Sequence, residues 1–362
     1  MNAPAQPTPL ARILMERIAR EGPIAVRDYM DLCLHHPEHG YYRTRAAIGA
    51  AEDFITAPEI SQVFGELIGL WAAVVWQQMG GPARVRLVEL GPGRGTLMRD
   101  ALRAARAVPA FRAAIEVALV EPNPALQTVQ RATLADVDVA MCWYADLGAI
   151  ISDPTAPTIV IANEILDVIP ITQLVRTDSG WAERAVGVND AGRRVFGVVG
   201  SAPPPEITVD AKPGDIVERR DNSAFTGPLR RLADAAPLAA LFIDYGYVGP
   251  AIGDTLQAIR AQRYEDPLAS PGTADLTAHV DFAAFAADAR AAGLSVDGPR
   301  TQAEFLGALG ILERTSRLMA ANPAAASSLE AATARLIAPT GMGAHFKAIG
   351  LRSAGLAPLP GL

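Results

Sequence analysis

The residues with the sharpest chemical spacing in this sequence are Glu89-Leu90-Gly91-Pro92-Gly93-Arg94-Gly95. Val85 to Leu90 reads as a buried strand and Thr96 to Ala107 as a helix, so the glycines sit where a nucleotide loop would. Glycine lets the chain turn tightly and bring its amides up to a ligand, and the helix start adds unpaired N–H groups. The third glycine comes one residue earlier than in the dinucleotide pattern G-x-G-x-x-G, leaving less room for a pyrophosphate. The competing reading is a plain turn from strand to helix.

The pattern E-x-G-x-G-x-G resembles the loop of class I methyltransferases that holds the methionine part of S-adenosylmethionine. Glu121, closing a second strand from Ile115 to Val120, stands where such enzymes place an acid on the ribose hydroxyls. A carboxylate suits a vicinal diol because it accepts two hydrogen bonds at once. Beyond a third strand near Val137 to Cys142 come Trp143, Tyr144 and Asp146. An aromatic there can stack on adenine while Asp146 accepts from its amino group. The alternatives are an ordinary strand-end acid, and core aromatics beside a solvated one.

A fourth strand, starting at Thr158, ends in Asn163-Glu164-Ile165-Leu166-Asp167. In a doubly wound sheet such ends face the ligand crevice. Glu164 and Asp167 are three apart, so one turn of helix would set them on one side. Two carboxylates can clamp a guanidinium through its forked donors and align one nitrogen with a sulfonium carbon. Capping and packing is the competing reading of this motif.

These groups need a scaffold, and the composition supplies one. The chain has 362 residues, half of them hydrophobic and 20% charged, which excludes disorder as its main state. At roughly 150 residues per domain this suggests two domains or one enlarged one. A net charge of −7 argues against a broad basic face for nucleic acid. Two cysteines, Cys33 and Cys142, fit a reducing compartment, so the cytoplasm is the expected location. No apolar run reaches the roughly 20 residues of a membrane helix. Met1 to Pro9 reads as a short disordered tail rather than a targeting peptide.

Leu10 to Ile18 and a stretch starting near Val26 read as amphipathic helices, and the run from Ser61 to Val75 is a longer one. Strand and helix then alternate in the manner of a parallel α/β sheet. The rhythm breaks from 171 to 235 into hairpins and loops, resumes at Leu238 to Ile243, and ends in a strand near His345 to Ile349. The expected division is therefore an N-terminal helical cap (1–80) and a core (81–362) carrying an insertion (171–235).

The chain is similar to the MidA family, the mitochondrial complex I assembly methyltransferases and their bacterial relatives. The resemblance runs over Leu34-His35-His36-Pro37-Glu38-His39-Gly40-Tyr41-Tyr42, Asp53 to Glu66, Glu89 to Leu97, Asn163-Glu164 with Asp167, Asp244-Tyr245-Gly246, Asp275 to Phe282 and Met342 to Lys347. Ala50-Ala51 departs from the glycine expected in the loop before Asp53. The resemblance covers about residues 10 to 350. It implies a class I, Rossmann-like α/β fold with a seven-stranded, mostly parallel sheet, an N-terminal helical extension and an inserted α+β segment. It also implies S-adenosylmethionine as cofactor, leaving as S-adenosylhomocysteine, and an arginine of the 49 kDa type subunit of respiratory complex I as acceptor. Symmetric dimethylation is the outcome associated with the family. Residue by residue, the cofactor loop falls on Glu89, Gly91, Gly93 and Gly95, the ribose acid on Glu121 and the carboxylate after strand four on Glu164. Asp53 to Glu59, including Thr56 and Pro58, is expected to close over the cofactor. Thr56, Glu59 and Ser61 also read simply as a helix start, with Pro58 favoured in its first turn.

His279, between Asp275 and Asp281, can orient an acid, meet the substrate or anchor a loop. Asp244 and Tyr245, at a strand end, are expected to line the acceptor pocket. His35, His36 and His39 near Cys33 invite a metal reading, but Pro37 interrupts any helix that would aim them together. A hydrogen-bonded loop is preferred and no metal is expected. A small-molecule methyltransferase and a non-catalytic assembly chaperone are the alternatives to a protein arginine methyltransferase. Expected partners are a protein substrate, with neither nucleic acid nor stable membrane insertion. Oligomeric state, homodimer included, is left open.

Overall fold

The computed structural model describes residues 8–44, 56–151, 153–205 and 210–362. The Asp53-Phe54-Ile55 part of the expected cofactor-closing segment, the Ala50-Ala51 loop and most of the N-terminal tail lie outside the described residues. Thr8 and Pro9 do not belong to a tail. Thr8 accepts the N–H of Ala11 at 3.1 Å and so caps the helix Pro9–Glu21.

The chain forms two units. The larger comprises residues 55–166, 222–248 and 280–362. Its sheet contains β1 (Val85–Leu90), β2 (Ile115–Val120), β3 (Met141–Tyr144), β4 (Thr158–Asn163), β5 (Leu238–Tyr247), β6 (Ser295–Thr301) and β7 (Phe346–Arg352). Their order is β3-β2-β1-β4-β5-β7-β6. The four pairings from β3 to β5 are parallel, whereas β7 runs antiparallel to both β5 and β6. The sheet has eight strands where seven were expected, because the two-residue strand Val280–Asp281 adds to Gly246 and Tyr247.

β1 is buried at every position and β4 at all but its last, as strands covered on both faces must be. Helix α1 (Gln62–Gln78), capped by Ser61, and helix α2 (Thr96–Ala104) pack on this sheet through Phe64, Ile68, Trp71, Leu97 and Ala101. Order reverses between β1 and β4, and the crevice outside their carboxyl ends is where a ligand binds in such sheets.

The third strand lies later than its apolar pattern suggested. Val137 and Val139 pack against the core from the irregular stretch before it, and pairing with β2 begins only at Met141, opposite Val117. Trp143 and Tyr144 are thus part of the strand. Ser295–Thr301 and the helix Ile311–Ala321 had no counterpart in the expected elements.

The smaller unit comprises residues 1–54, 167–221 and 249–279. A five-stranded sheet joins Ile24–Ala25, Ile171–Thr177, Gly180–Val188, Arg194–Ala202 and Ile216–Arg220. Ile24 pairs with Val186, and Leu10, Tyr29, Met30 and Leu34 share a core with Ile171 and Leu276. The division therefore differs from the expected one. The first helices group with the inserted strands, 249–279 joins them, and the helix Ser223–Ala235 belongs to the larger unit.

Candidate functional site

In the larger unit, the chain leaves β1 through Gly91, Gly93 and Gly95, at φ of 61°, 53° and 83°. These are left-handed values that favour glycine. The turn is closed by Gly91 N–H on the Val120 carbonyl at 3.0 Å and Gly95 N–H on the Pro92 carbonyl at 2.7 Å. A Cβ on Gly93 would meet no protein atom within 4 Å, so the loop's open side faces away from the fold. Below it, Glu89 is buried and its Oε2 has no hydrogen-bond partner. Burial pushes this carboxyl up to about 8, against a smaller opposing effect from the Met98 N–H.

Glu121 is also buried, and it is held by the helix that follows it, α3 (Pro124–Thr133). Its Oε1 accepts the Asn123 N–H at 2.9 Å, and its Oε2 accepts Nε2 of Gln130 at 3.2 Å. Burial raises its pKa while these two donors pull it back. Each carboxylate oxygen keeps a second lone pair for another donor.

Neither neighbour has a ring or carboxylate with nothing else to do. Trp143 donates its indole N–H to Oε1 of Gln130 at 2.9 Å, and the Arg131 guanidinium lies 4.3 Å from its ring centre. Asp146 is exposed and caps the short helix Leu147–Ile150 by accepting from Ala149 at 2.9 Å.

The turn after β4 is not helical, so the spacing of Glu164 and Asp167 does not place them as a helical pair. Glu164 has φ 55°, an uncommon value outside glycine. Its N–H donates to the Ile243 carbonyl at 2.8 Å, and its Oε1 accepts Nδ2 of Asn163 at 2.9 Å and the Ala57 N–H at 3.4 Å. Asn163 Oδ1 is buried and unpartnered. Thr56 and Pro58 open the helix Ala57–Ile60, with Thr56 at the cap but its hydroxyl making no capping bond. The turn abuts the glycine loop, because a Cβ on Gly91 would stand 3.1 Å from Cδ1 of Ile165.

Asp244 corrects an expectation. It is fully buried, its Oδ2 accepts from Ile165 and Leu166, and its Oδ1 accepts from Tyr245 at 2.9 Å. It shapes the Glu164 turn instead of lining an acceptor pocket.

The other two candidates lie in the smaller unit, where Arg220 joins them. Its guanidinium donates to the carbonyls of Asp167, Ala278 and His279 at 3.3, 2.8 and 3.0 Å. His279 is exposed and its N–H donates to Thr255 Oγ1 at 2.9 Å, which makes its backbone a loop anchor. His36 accepts at Nδ1 from the N–H groups of Glu38 and His39, and that loop is held by hydrogen bonds. Among the described residues no cluster of three or more potential ligands forms a metal site.

Residues 67–300 match the family of S-adenosyl-L-methionine-dependent methyltransferases. The chain belongs to this family. The methyltransferase is 35% identical to the mouse protein arginine methyltransferase NDUFAF7, mitochondrial, over 95% of this chain and 85% of that one. The Drosophila melanogaster homologue is 34% identical over 93% of this chain and 83% of its own length. A Burkholderia thailandensis superfamily member, crystallised with S-adenosyl-homocysteine, superposes with a TM-score of 0.81 at 28% identity, covering 97% of this chain and 93% of that one.

S-adenosylmethionine is the cofactor of this methyltransferase, and the crevice suits it. The cofactor's methionine arm carries an ammonium, and Glu89 has a buried acceptor without a partner. Its ribose carries two hydroxyls, and Glu121 has two free lone pairs. Backbone can approach the ligand closely only where side chains are absent, as at Gly93.

One member of this constellation, Gln130, is not among the residues that the sequence motifs single out. Gln130 breaks the apolar helix stripe Leu126, Gln130, Leu134, and a polar residue in such a stripe marks a buried hydrogen-bonding role.

Proposed function

We propose that this methyltransferase transfers a methyl group to an arginine of a protein substrate, the 49 kDa type subunit of respiratory complex I. The observation that carries the reading is the half-buried Glu164, held in a left-handed turn whose next residue touches the glycine loop. The names of the relatives, protein arginine methyltransferase, support the acceptor class. A cytoplasmic setting for this chain goes with that reading; among the described residues no helix is long and apolar enough to cross a membrane.

In this reading Glu89 receives the methionine ammonium, Gly91, Gly93 and Gly95 give the arm its backbone surface, and Glu121 takes the ribose hydroxyls. Asp146 accepts from the adenine amino group, and Thr56 and Pro58 belong to the segment that closes over the cofactor. When bound, the cofactor supplies an electrophilic methyl group on sulfur. Glu164 then holds the guanidinium so that one nitrogen lies in line with that carbon. Asn163 contributes its unpartnered amide oxygen as a second acceptor. With the cofactor bound, transfer would join its methyl group to the arginine nitrogen and leave S-adenosylhomocysteine, and Glu164 would take the proton lost from nitrogen or pass it to water. Alignment carries most of the rate, because the leaving group is already activated. Asp167 and His279, the other two residues the sequence offers for the acceptor, belong to the smaller unit, where Arg220 holds their backbone carbonyls.

Incubation with methyl-labelled cofactor and the purified complex I subunit tests it. Label on arginine is the expected result. Label absent, or on other residues, would sink the arginine reading, and label on small molecules alone would favour a small-molecule enzyme. Glu164→Ala should keep S-adenosylhomocysteine binding and lose transfer.

A further inference from the structure

We infer that Gln130 is a positioning residue for cofactor binding, which makes the ribose acid, the glycine loop and the third strand a single preorganised surface. The inference rests on the reading of Glu121 as the ribose acceptor and extends it to a residue that never touches the ligand.

The Gln130 side chain is fully buried. Its Nε2 donates to the Gly93 carbonyl at 2.9 Å and to Glu121 Oε2 at 3.2 Å, and its Oε1 accepts from Trp143 Nε1 at 2.9 Å. Indole N–H only donates, so the amide oxygen must face Trp143 and both amide protons must face the loop and the acid. Each of the two amide protons and the amide oxygen therefore has one partner, in the glycine loop, just beyond β2 and in β3 respectively. Glutamate at 130 would have no proton for Glu121, and asparagine is one methylene short. Gln127, one turn earlier, adds a bond from its Nε2 to the Glu121 carbonyl at 2.8 Å, so one face of α3 holds the acid by side chain and backbone.

The consequence is functional. Glu121 is buried, and an unheld buried carboxylate would take up a proton or rotate away from a diol. Gln130 favours the charged form of Glu121 and aims its Oε2, while its bond to Gly93 sets the loop at a fixed distance from the ribose acceptor. Preorganisation of this kind raises affinity by removing the ordering cost at the moment of binding.

The test compares calorimetric binding of S-adenosylhomocysteine with that of its 2′-deoxyadenosyl counterpart, using the full chain. The wild type should prefer the hydroxyl-bearing ligand by about tenfold or more, the scale of one hydrogen bond to a charged group. Gln130→Met should weaken that ligand by a similar factor and bring the ratio near one. Gln130→Glu should bind well near about pH 5, where a shared proton replaces the lost N–H, and lose affinity as pH rises, a dependence that a non-titrating amide does not have. Trp143→Phe keeps a ring but removes the N–H, and should shift the ratio in the same direction by less. This variant keeps the test open should Gln130→Met not fold.

Equal weakening of both ligands by Gln130→Met and Trp143→Phe would mean a purely structural role and overturn the inference, as would unchanged ratios. A Glu121→Gln variant separates the two readings. If it loses discrimination while the Gln130 variants keep it, only the Gln130 inference fails. If it keeps full discrimination, Glu121 is not the ribose acceptor and both fall.

Discussion

The carboxylate of Asp244 receives the backbone N–H of Leu166 at 2.8 Å, across 78 residues of sequence, and through it β5 dictates the path of the chain after β4. The same oxygen takes the Ile165 N–H at 3.0 Å. Two successive amides aimed at one buried acceptor hold the turn that puts Glu164 beside the glycine loop.

Asp244→Asn should therefore reach further than its similar shape suggests. Asparagine has one acceptor oxygen, so either the Ile165 and Leu166 amides or the Tyr245 amide would face an NH₂ group. The expected cost is roughly 1–3 kcal/mol of stability, read by urea unfolding. Transfer should fall while S-adenosylhomocysteine affinity changes by less than about threefold, a split expected when positioning at the reacting centre is lost and cofactor contacts stay. An unchanged transfer rate would show that the turn needs no such anchor.

Glu164 adopts φ 55°, so stability and activity should part company there. Glycine relieves left-handed strain of about 1 kcal/mol. Glu164→Gly is expected to unfold at higher urea than Glu164→Ala, with transfer lost in both. Matching midpoints would remove the strain argument, and full activity in Glu164→Gln would remove the need for the charge.

Glu89 makes stability depend on pH. Its folded pKa is raised to about 8 from 4.5 by burial, so between these values the folded state holds a proton that the unfolded state has released. The contribution of Glu89 to stability is then fully present below about 4.5 and falls as pH rises towards 8, by at most about 5 kcal/mol for a shift of this size. Glu89→Gln should flatten this part of the profile. A cofactor ammonium would favour the ionised form, so wild-type binding of S-adenosylhomocysteine near neutral pH should release a proton into the buffer. Calorimetry in buffers of different ionisation enthalpy would detect it, and zero release would rule out the pairing.

Gly93→Ala tests the open side of the loop. The added methyl group meets no protein atom within 4 Å, yet the residue sits at φ 53°. Stability should drop by only about 1 kcal/mol from the backbone. Cofactor affinity should drop by more than tenfold, because the methyl occupies space that the ligand needs. Affinity that tracks stability alone would place the cofactor elsewhere.

Much of the core was legible because its signals are local. The glycine loop announces itself between a buried strand and a helix. Asn123-Pro124 likewise reads as a helix start, and the capping bond from Ala125 N–H to Asn123 Oδ1 at 2.9 Å agrees. The apolar pattern sets the third strand too early because Val137 and Val139 look like strand residues, although they pack against the core from the irregular stretch before it. Pairing with β2 settled the register, and no local pattern encodes a partner strand.

By itself, then, the sequence determined the periodicities, the turns that need glycine and the stock of carboxylates, since each depends on a few neighbouring residues. Tertiary structure alone decided what those carboxylates do. Asp244 became a backbone anchor and Glu164 a turn residue gripped by Ala57, 107 positions away. Gln130 became the joint of a site in which its own stretch of sequence shows only a polar interruption. The reason is physical: a buried polar group takes its role from the partners that satisfy it, and strand order, not proximity along the chain, brings those partners within hydrogen-bonding distance.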